Sequence, residues 1–476
     1  MPDDIVKQSE DFAGWYQSVV QKAELADYSE VKGCMVIRPY GYALWENIQR
    51  DMDRRIKETG HQNVYFPMLI PERHLRREAE HVEGFAPECA VVTHAGGAKL
   101  EEPLVLRPTS ETIINVTLAK WIQSYRDLPM LINQWANIVR WEMRPRLFLR
   151  TTEFLWQEGH TAHETREEAE EETLKMLDVY RAFAEEMLAV PVVTGKKSES
   201  EKFAGAVDTY CIEALVRDGK SLQAGTSHFL GQNFAKAFGV KFQSREGKLE
   251  YVWQTSWGVS SRLVGCIVMA HGDERGLMLP PSVAPIQAVV VPIWKKPAEQ
   301  QAVAKEVETI RGELGADVRL KVDDREQYTA GWKFNEWEMR GVPVRIEIGP
   351  RDVEKNQAVL VRRDTGEKEF VGRDGLKRAV LETLDAVQKG LFERALRFRE
   401  EHTREIADYE DMKRVLEETP GFVRTFWCGD AACEDRVKED TKATIRVIPF
   451  DQPQAMGRCV ACGKEGKSLV LFAKSY

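Results

Sequence analysis

The run Pro280-Pro281-Ser282-Val283-Ala284-Pro285 divides the chain into two kinds of pattern. Its prolines lack backbone donors and fix φ, so neither a helix nor a sheet ladder continues through it, and the chain on each side must build its own unit. Beyond it, apolar runs alternate with amphipathic stretches. Ile286–Val291 predicts a strand, Glu299–Leu314 a helix, Val318–Val322 a strand, Trp332–Met339 a helix and Val344–Ile348 a strand. That alternation implies a sheet with helices packed on it, an α/β domain over 285–375. A charged helical stretch from Leu376 to about Glu418 leads into a cysteine-rich end, so 376–476 form a third unit. A length of 476 residues also suits about three domains rather than one core.

Before the junction, 1–284 carry a different mixture. Leu44, Trp45, Ile48, Met52 and Ile56 recur at helical spacing over Gly41–Glu58, and Val64–Pro71 predicts a strand closed by proline. Leu104–Leu106 is apolar, and a helix is expected from Ser110. Asn137–Met143 and Arg150–Gly159 pattern as an antiparallel hairpin around a Pro145-containing loop. His163–Met187 predicts a helix with an acidic outer face and a buried stripe of Leu174, Leu177, Tyr180, Phe183 and Met187. With 43% hydrophobic and 30% charged residues, folding throughout is expected. The net charge of -9 argues against indiscriminate adhesion to nucleic acid, while leaving room for a local basic surface. Met1-Pro2-Asp3-Asp4-Ile5 has no signal-peptide character and no apolar run has spanning length, so a cytoplasmic protein without membrane partners is expected. No internal repeat is evident.

Several residues stand out chemically. Arg140 falls inside the apolar run Ile138-Val139-Arg140-Trp141, where an unpaired guanidinium is costly, so something anionic should meet it. On its own, Arg140-Trp141-Glu142 is read as readily as an internal ion pair. A second arginine, Arg262, follows the small-residue run Gly258-Val259-Ser260-Ser261, which lets a ligand approach the backbone; a helix-start arginine is the plain alternative. Thr109-Ser110-Glu111-Thr112 is either an ordinary helix cap or a turn offering hydroxyl and carboxylate acceptors. Trp156 and Phe203 serve equally as core aromatics or pocket walls, and a lone histidine is more often structural. Of eight cysteines, Cys34, Cys89, Cys211 and Cys266 are scattered, whereas Cys428-x4-Cys433 and Cys459-x2-Cys462 form two close pairs. Four thiolates so spaced suit a tetrahedral, structural zinc with no open coordination position.

Taken together, Arg107-Pro108-Thr109-Ser110-Glu111-Thr112, Val139-Arg140-Trp141-Glu142 and Gly258-Val259-Ser260-Ser261-Arg262 resemble, in order, the motifs of class II prolyl-tRNA synthetases. The resemblance covers essentially the whole chain. It implies an α+β catalytic domain with a class II antiparallel sheet (1–284), an α/β anticodon-binding domain (285–375), and a linker helix with a small zinc-containing C-terminal domain (376–476). It implies a homodimer, with Phe66–Pro71 as motif 1. The implied activity is proline–tRNA ligation: L-proline and ATP give prolyl-adenylate, then proline passes to tRNA(Pro), with Mg²⁺ beside ATP and a structural Zn²⁺.

Carried over by resemblance, Arg140 contacts the α-phosphate and the substrate carboxylate, and Arg262 the γ-phosphate. Glu142, Thr151, Thr152, Gln223 and Thr226 join them around ATP. Thr109, Glu111, Trp156, Glu158, His160, Phe203, His228 and Ser260 surround proline. Glu338 and Arg345 become anticodon readers, and a surface ion pair is the alternative. Only about 75 residues separate Arg150 from Thr226, so the large editing insertion is absent, as in archaeal and eukaryotic-like enzymes. In that family a terminal tyrosine approaches the active site, and Tyr476 stands last here. A threonyl-type enzyme shares the Thr-x-Glu turn but reads a hydroxyl through a catalytic zinc, for which 1–284 show no paired cysteine spacing. A catalytically silent tRNA-binding paralogue should have lost Arg140, Glu142 or Arg262, and all are present.

Overall fold

The computed structural model describes residues 5–81 and 89–476; Met1–Asp4, part of the segment used to exclude a signal peptide, lie outside them. Among the described residues, eleven strands form one sheet. Its antiparallel middle sets Met130–Val139, Glu153–His163, Trp253–Ser260, Ser221–Gly231, Asp208–Leu215 and Val192–Lys196 side by side. Registers such as Gln134↔Glu158 and Glu158↔Gly258 fix which side chains share a face. Helix Arg166–Glu186 covers one face, and Phe12–Lys22, Pro39–Glu58 and Arg262–His271 complete a core that includes Trp15, Met52, Tyr180, Phe183 and Trp257.

Three sequence expectations shift here. Val64–Pro71 is not one strand: Gln62–Asn63 pairs in parallel with Met130–Val139, while Leu69–Pro71 joins Ala98–Leu106 in a separate sheet. Pro67, with no N–H, stands between them. The hairpin exists, but its first strand runs Met130–Val139 and its second Glu153–His163, so Arg140 is the first residue past the first strand. Its N–H still donates to Thr152 O at 2.8 Å, carrying the ladder one step further. Leu174 is exposed, and Met176 takes its place on the inner stripe. Two positions apart on a helix, these side chains point about 200° away from each other.

The expected α/β unit follows, with the parallel strands Leu320–Val322, Ala288–Pro292 and Val344–Ile348 extended antiparallel by Gln357–Arg362 and Lys368–Gly372, and Leu376, Val380 and Leu384 of the next helix in its core. The charged stretch is not one helix: Leu376–Glu401 ends, Thr403–Glu405 pairs with Phe422–Trp427, and Tyr409–Glu418 follows. Nor does the C-terminal unit stand apart. Its strand Thr444–Pro449 pairs with Val192–Lys196, continuing the eleven-stranded sheet. The two backbones meet so closely that a Cβ on Gly195 would lie 2.2 Å from Ile448 O.

His271, at the end of helix Arg262–His271, is buried; its Nε2 lies 2.8 Å from Leu188 O while Nδ1 has no partner. Burial outweighs the Leu188 carbonyl and, with Arg394 and Arg217 adding to it, holds the imidazole down to about 3. Folded, His271 stays neutral; unfolded, it takes a proton below roughly pH 6.5, so its contribution is undiminished above that pH and is lost as pH falls. His271→Gln, which keeps a donor toward Leu188, should therefore lose less of its melting temperature than the parent between about pH 6.5 and pH 4. Parallel acid sensitivities in the two proteins would contradict this.

Candidate active site and metal centre

The central strands wall a cavity of about 310 Å³. Strand Glu153–His163 contributes Phe154, Trp156, Glu158 and His160, the alternation a pleated strand imposes. Gly159 between them pairs with Trp257, and a Cβ there would fall 2.0 Å from the indole, so glycine is required. Strand Trp253–Ser260 adds Ser256, Gly258 and Ser260; Ser221–Gly231 adds Gln223, Thr226 and His228; Thr109 and Glu111 come from the turn opening helix Glu111–Trp121. Arg107 fixes that turn. Fully buried, it donates to Phe66 O and Asn137 O, each at 2.8 Å, and to Asn137 Oδ1 at 3.0 Å.

One end of the cavity is acidic and aromatic. Thr109 donates to the buried Glu111 carboxylate, and Gln134 donates to Glu158. His160 Nε2 lies 3.0 Å from Glu158 Oε2. Burial alone would depress His160, but the Glu158 hydrogen bond and charge, with Glu111 beyond, raise it above the ordinary value. His228 moves the opposite way, held to about 4 by burial and by His160 despite Glu111. Its Nδ1 meets Thr209 Oγ1 at 3.0 Å, and Thr209 also accepts from Phe203 N at 3.0 Å. Phe203 lies against the His228 ring, centroids 4.6 Å apart. Buried acceptors between apolar walls make a receptor for a small cation with a non-polar body.

The other end is cationic. Arg140 is exposed into the cavity; its Nε donates to Pro108 O at 2.8 Å, and Phe154 and Trp156 lie 5.6 and 5.8 Å from the guanidinium. Burial lowers its pKa while Glu111 and Glu158 pull it up. Arg262 is lowered by burial and then by Arg150 and Arg140 beside it. Like charges gathered where water is scarce favour a polyanion. Arg262 does open a helix, as the plainer reading has it, yet it also lines the cavity, its Nε donating to Leu149 O at 3.2 Å.

Twelve sequence candidates thus share one wall: Thr109, Glu111, Arg140, Trp156, Glu158, His160, Phe203, Gln223, Thr226, His228, Ser260 and Arg262. Glu142, Thr151 and Thr152 are not among the lining residues. They brace the adjoining loop, Glu142 accepting from Arg144 N at 2.8 Å and Thr151 donating to Glu153 O at 2.7 Å. Sequence reasoning missed Glu201, Thr209 and Ser256 as lining residues, though Ser256 was legible as a same-face neighbour of Gly258 and Ser260. Beside the loop, Arg144, Arg146, Arg150, Lys220 and Tyr476 line a second cavity of about 260 Å³. There Tyr476 Oη donates to Asp218 at 2.6 Å.

In the α/β unit, Arg345 is buried and donates to Glu338 at 3.1 Å and to Glu347 at 3.0 and 2.9 Å, so the two anticodon candidates form an ion pair with each other. Nearby, Tyr328 and Trp332 stack 3.8 Å apart with Arg325 over both rings.

The cysteine pairs converge. Cys428, Cys433, Cys459 and Cys462 bring their sulfurs within 4.8 Å of one another, with Cys428 3.6 Å from Cys433 and 3.8 Å from Cys462. A tetrahedron with Zn–S of about 2.3 Å has edges near 3.8 Å, so the donor set fits zinc. The turn at Gly463 has φ 72°, and Cys459 N donates to Lys464 O at 2.7 Å, giving the loop a knuckle.

Three family models match the chain: the class II core domain of glycyl, histidyl, prolyl, seryl and threonyl tRNA synthetases over 95–271, an anticodon binding domain over 287–383, and the prolyl-tRNA synthetase C-terminal domain over 409–476. Proline–tRNA ligase 2 of Clostridioides difficile is 57% identical over 475 residues, covering 100% of this chain and 98% of its own. Proline–tRNA ligase of Chloroherpeton thalassium is 57% identical over 485 residues, covering 100% of both chains. Among solved structures, prolyl-tRNA synthetase of Cryptosporidium parvum, complexed with halofuginone and AMPPNP, superposes with a TM-score of 0.94 at 43% identity, covering 99% of each chain.

Proposed function

The chain belongs to the class II prolyl-tRNA synthetases, and from that membership we propose how its cavity divides the work of activating proline and loading it onto tRNA. The carboxylate of proline attacks the α-phosphorus of ATP, forming the mixed anhydride as the bond to pyrophosphate breaks. The tRNA 3′ hydroxyl then attacks the carbonyl and AMP leaves. No protein nucleophile is needed, so catalysis rests on alignment and on positive charge. Glu111, with Thr109, receives the secondary ammonium, and Phe203, Trp156 and the neutral His228 wall the ring. Glu158 and His160 hold the acidic end in place. Arg140 lies between the two ends and draws the proline carboxylate and α-phosphate together, while Arg262 receives the distal phosphates, with Gln223 and Thr226 beside the nucleotide.

The observation that carries this assignment is the polarity of one cavity, carboxylates at one end and gathered arginines at the other. Magnesium supplies further neutralisation of the phosphates and would be held chiefly by their oxygens and water, since the cavity offers few carboxylates not already hydrogen-bonded. Zinc in the four-cysteine site is structural. Glu142, Thr151 and Thr152 act by shaping the loop beside the adenine. We assign anticodon contact to 285–375 through Glu338 and Arg345, a homodimer built through the segment around Phe66–Pro71, domain limits at 284 and 375, and a cytoplasmic location. Consistent with the last, no described helix is long and apolar enough to cross a membrane.

The test is ATP–pyrophosphate exchange with proline, threonine, serine, glycine, histidine, alanine and cysteine offered singly. Proline should dominate, and Glu111→Gln should raise the KM for proline far more than that for ATP. Equal losses for both substrates would move Glu111 out of the amino-acid end.

A further inference from the structure

We propose that the C-terminal lobe positions the loop closing the amino-acid end of the cavity, with Arg446 and Glu434 acting as positioning residues on Glu201 and Ser198. This rests on the reading of that end as the proline site. Residues 198–203 belong to the connection between strand Val192–Lys196 and strand Asp208–Leu215, and two of them, Glu201 and Phe203, line the cavity. Within its own domain the loop has few ties, among them Glu201 N to Ser198 O at 3.1 Å and Phe203 N to Thr209 Oγ1 at 3.0 Å. Phe203 packs on His228 and Phe234 of its own domain, whereas Ser198 and Glu201 take anchors from the other lobe. Ser198, 2% exposed, donates to Glu434 Oε1 at 2.8 Å, and Glu434, itself 2% exposed, follows the zinc-site residue Cys433 on helix Ala431–Thr441.

Arg446, on strand Thr444–Pro449, reaches Glu201 Oε2 at 3.3 Å and Glu213 Oε1 at 3.1 Å. Lys197 Nζ donates to the same Glu213 oxygen at 2.7 Å and to Arg446 O at 2.8 Å. Two cations thus surround one carboxylate whose side chain is fully buried, leaving one positive charge in excess. Glu201 supplies the missing negative charge, which holds it and the loop in one place. A residue beside the zinc site and one on a strand continuous with the catalytic sheet therefore fix where Phe203 and Glu201 meet the substrate.

The experiment measures the KM for proline and for ATP separately, by pyrophosphate exchange, for Ser198→Ala, Arg446→Gln and Arg446→Lys, with zinc content and melting temperature recorded on each. Losing one hydrogen bond to a charged group should raise the KM for proline about tenfold in Ser198→Ala and Arg446→Gln. The KM for ATP and the zinc content should stay at parental values, and Arg446→Lys should recover part of the loss. Arg446→Gln also removes one of the two cations on the buried Glu213, so Ser198→Ala decides the matter if that variant does not fold. A folded, zinc-loaded Ser198→Ala with the parental KM for proline overturns the inference, as does a parallel rise in both KM values. Parental protein inert toward proline would sink the cavity assignment itself.

Discussion

Replacing Arg140 with alanine should abolish proline-dependent pyrophosphate exchange, lowering kcat/KM by roughly 10²–10³ at least, the size found when one donor aimed at developing charge is removed. The geometry explains why the loss should be so large. Arg140 spends its Nε on Pro108 O, which orients the fork, and no hydrogen bond among the described residues occupies its terminal nitrogens. It sits between aromatic rings and the carboxylates of Glu111 and Glu158, so its charge is retained in a site where water is scarce. Lysine keeps the charge and loses the fork, so Arg140→Lys should recover little. The fold should suffer little, because the side chain is exposed to the cavity and its one hydrogen bond within the chain is the contact with Pro108 O. A variant that melts at the parental temperature and is inactive would establish the role. One retaining a tenth of parental activity would refute it.

The second large effect concerns zinc. Purified protein should carry one equivalent, and Cys459→Ser should lose it. Apparent binding energies of structural zinc are roughly 10–16 kcal/mol in small domains, and part of that energy here is folding energy of the C-terminal lobe. The lobe has its own apolar cluster around Val423, Val437, Ile445, Val470 and Phe472, so it should loosen rather than vanish. Loss of protection should extend into strand Val192–Lys196, because Thr444–Pro449 is its neighbour. Hydrogen exchange before and after chelation would show this. Unchanged protection in both strands, with zinc demonstrably absent, would mean that the cysteines merely cluster.

Much of the catalytic site was legible because its chemistry is uncommon in the places it occurs. Arg140 inside an apolar run, Arg262 after a small-residue run and Thr109 with Glu111 in one turn each stood out, and the structure gathers all four in one cavity. The first part of the α/β unit was legible from period alone, down to the helix ending at Leu314, whereas the strands Gln357–Arg362 and Lys368–Gly372 were not read. What escaped was pairing between distant segments. Nothing local in Val192–Lys196 or Thr444–Pro449 signals that they adjoin, so the C-terminal unit looked separate when it extends the catalytic sheet. Glu201 escaped for the same reason: its meaning depends on Arg446, 245 positions away. Leu174 was misplaced because an apolar residue on a helix need not face the core.

The shared sheet has a consequence for biosynthesis. Strand Val192–Lys196 is made early, yet its neighbour Thr444–Pro449 begins 248 residues later, counting from 196 to 444. At about 5–20 residues per second, the ribosome takes on the order of tens of seconds to supply it. For that interval the nascent chain holds an open sheet edge, a template for stray pairing. Gly195 and Lys196 lie on that edge, a flexible residue and a charged one, both poor partners for a foreign strand. A truncation ending before Thr444 would keep that edge permanently open, making aggregation rather than simple inactivity its expected fate.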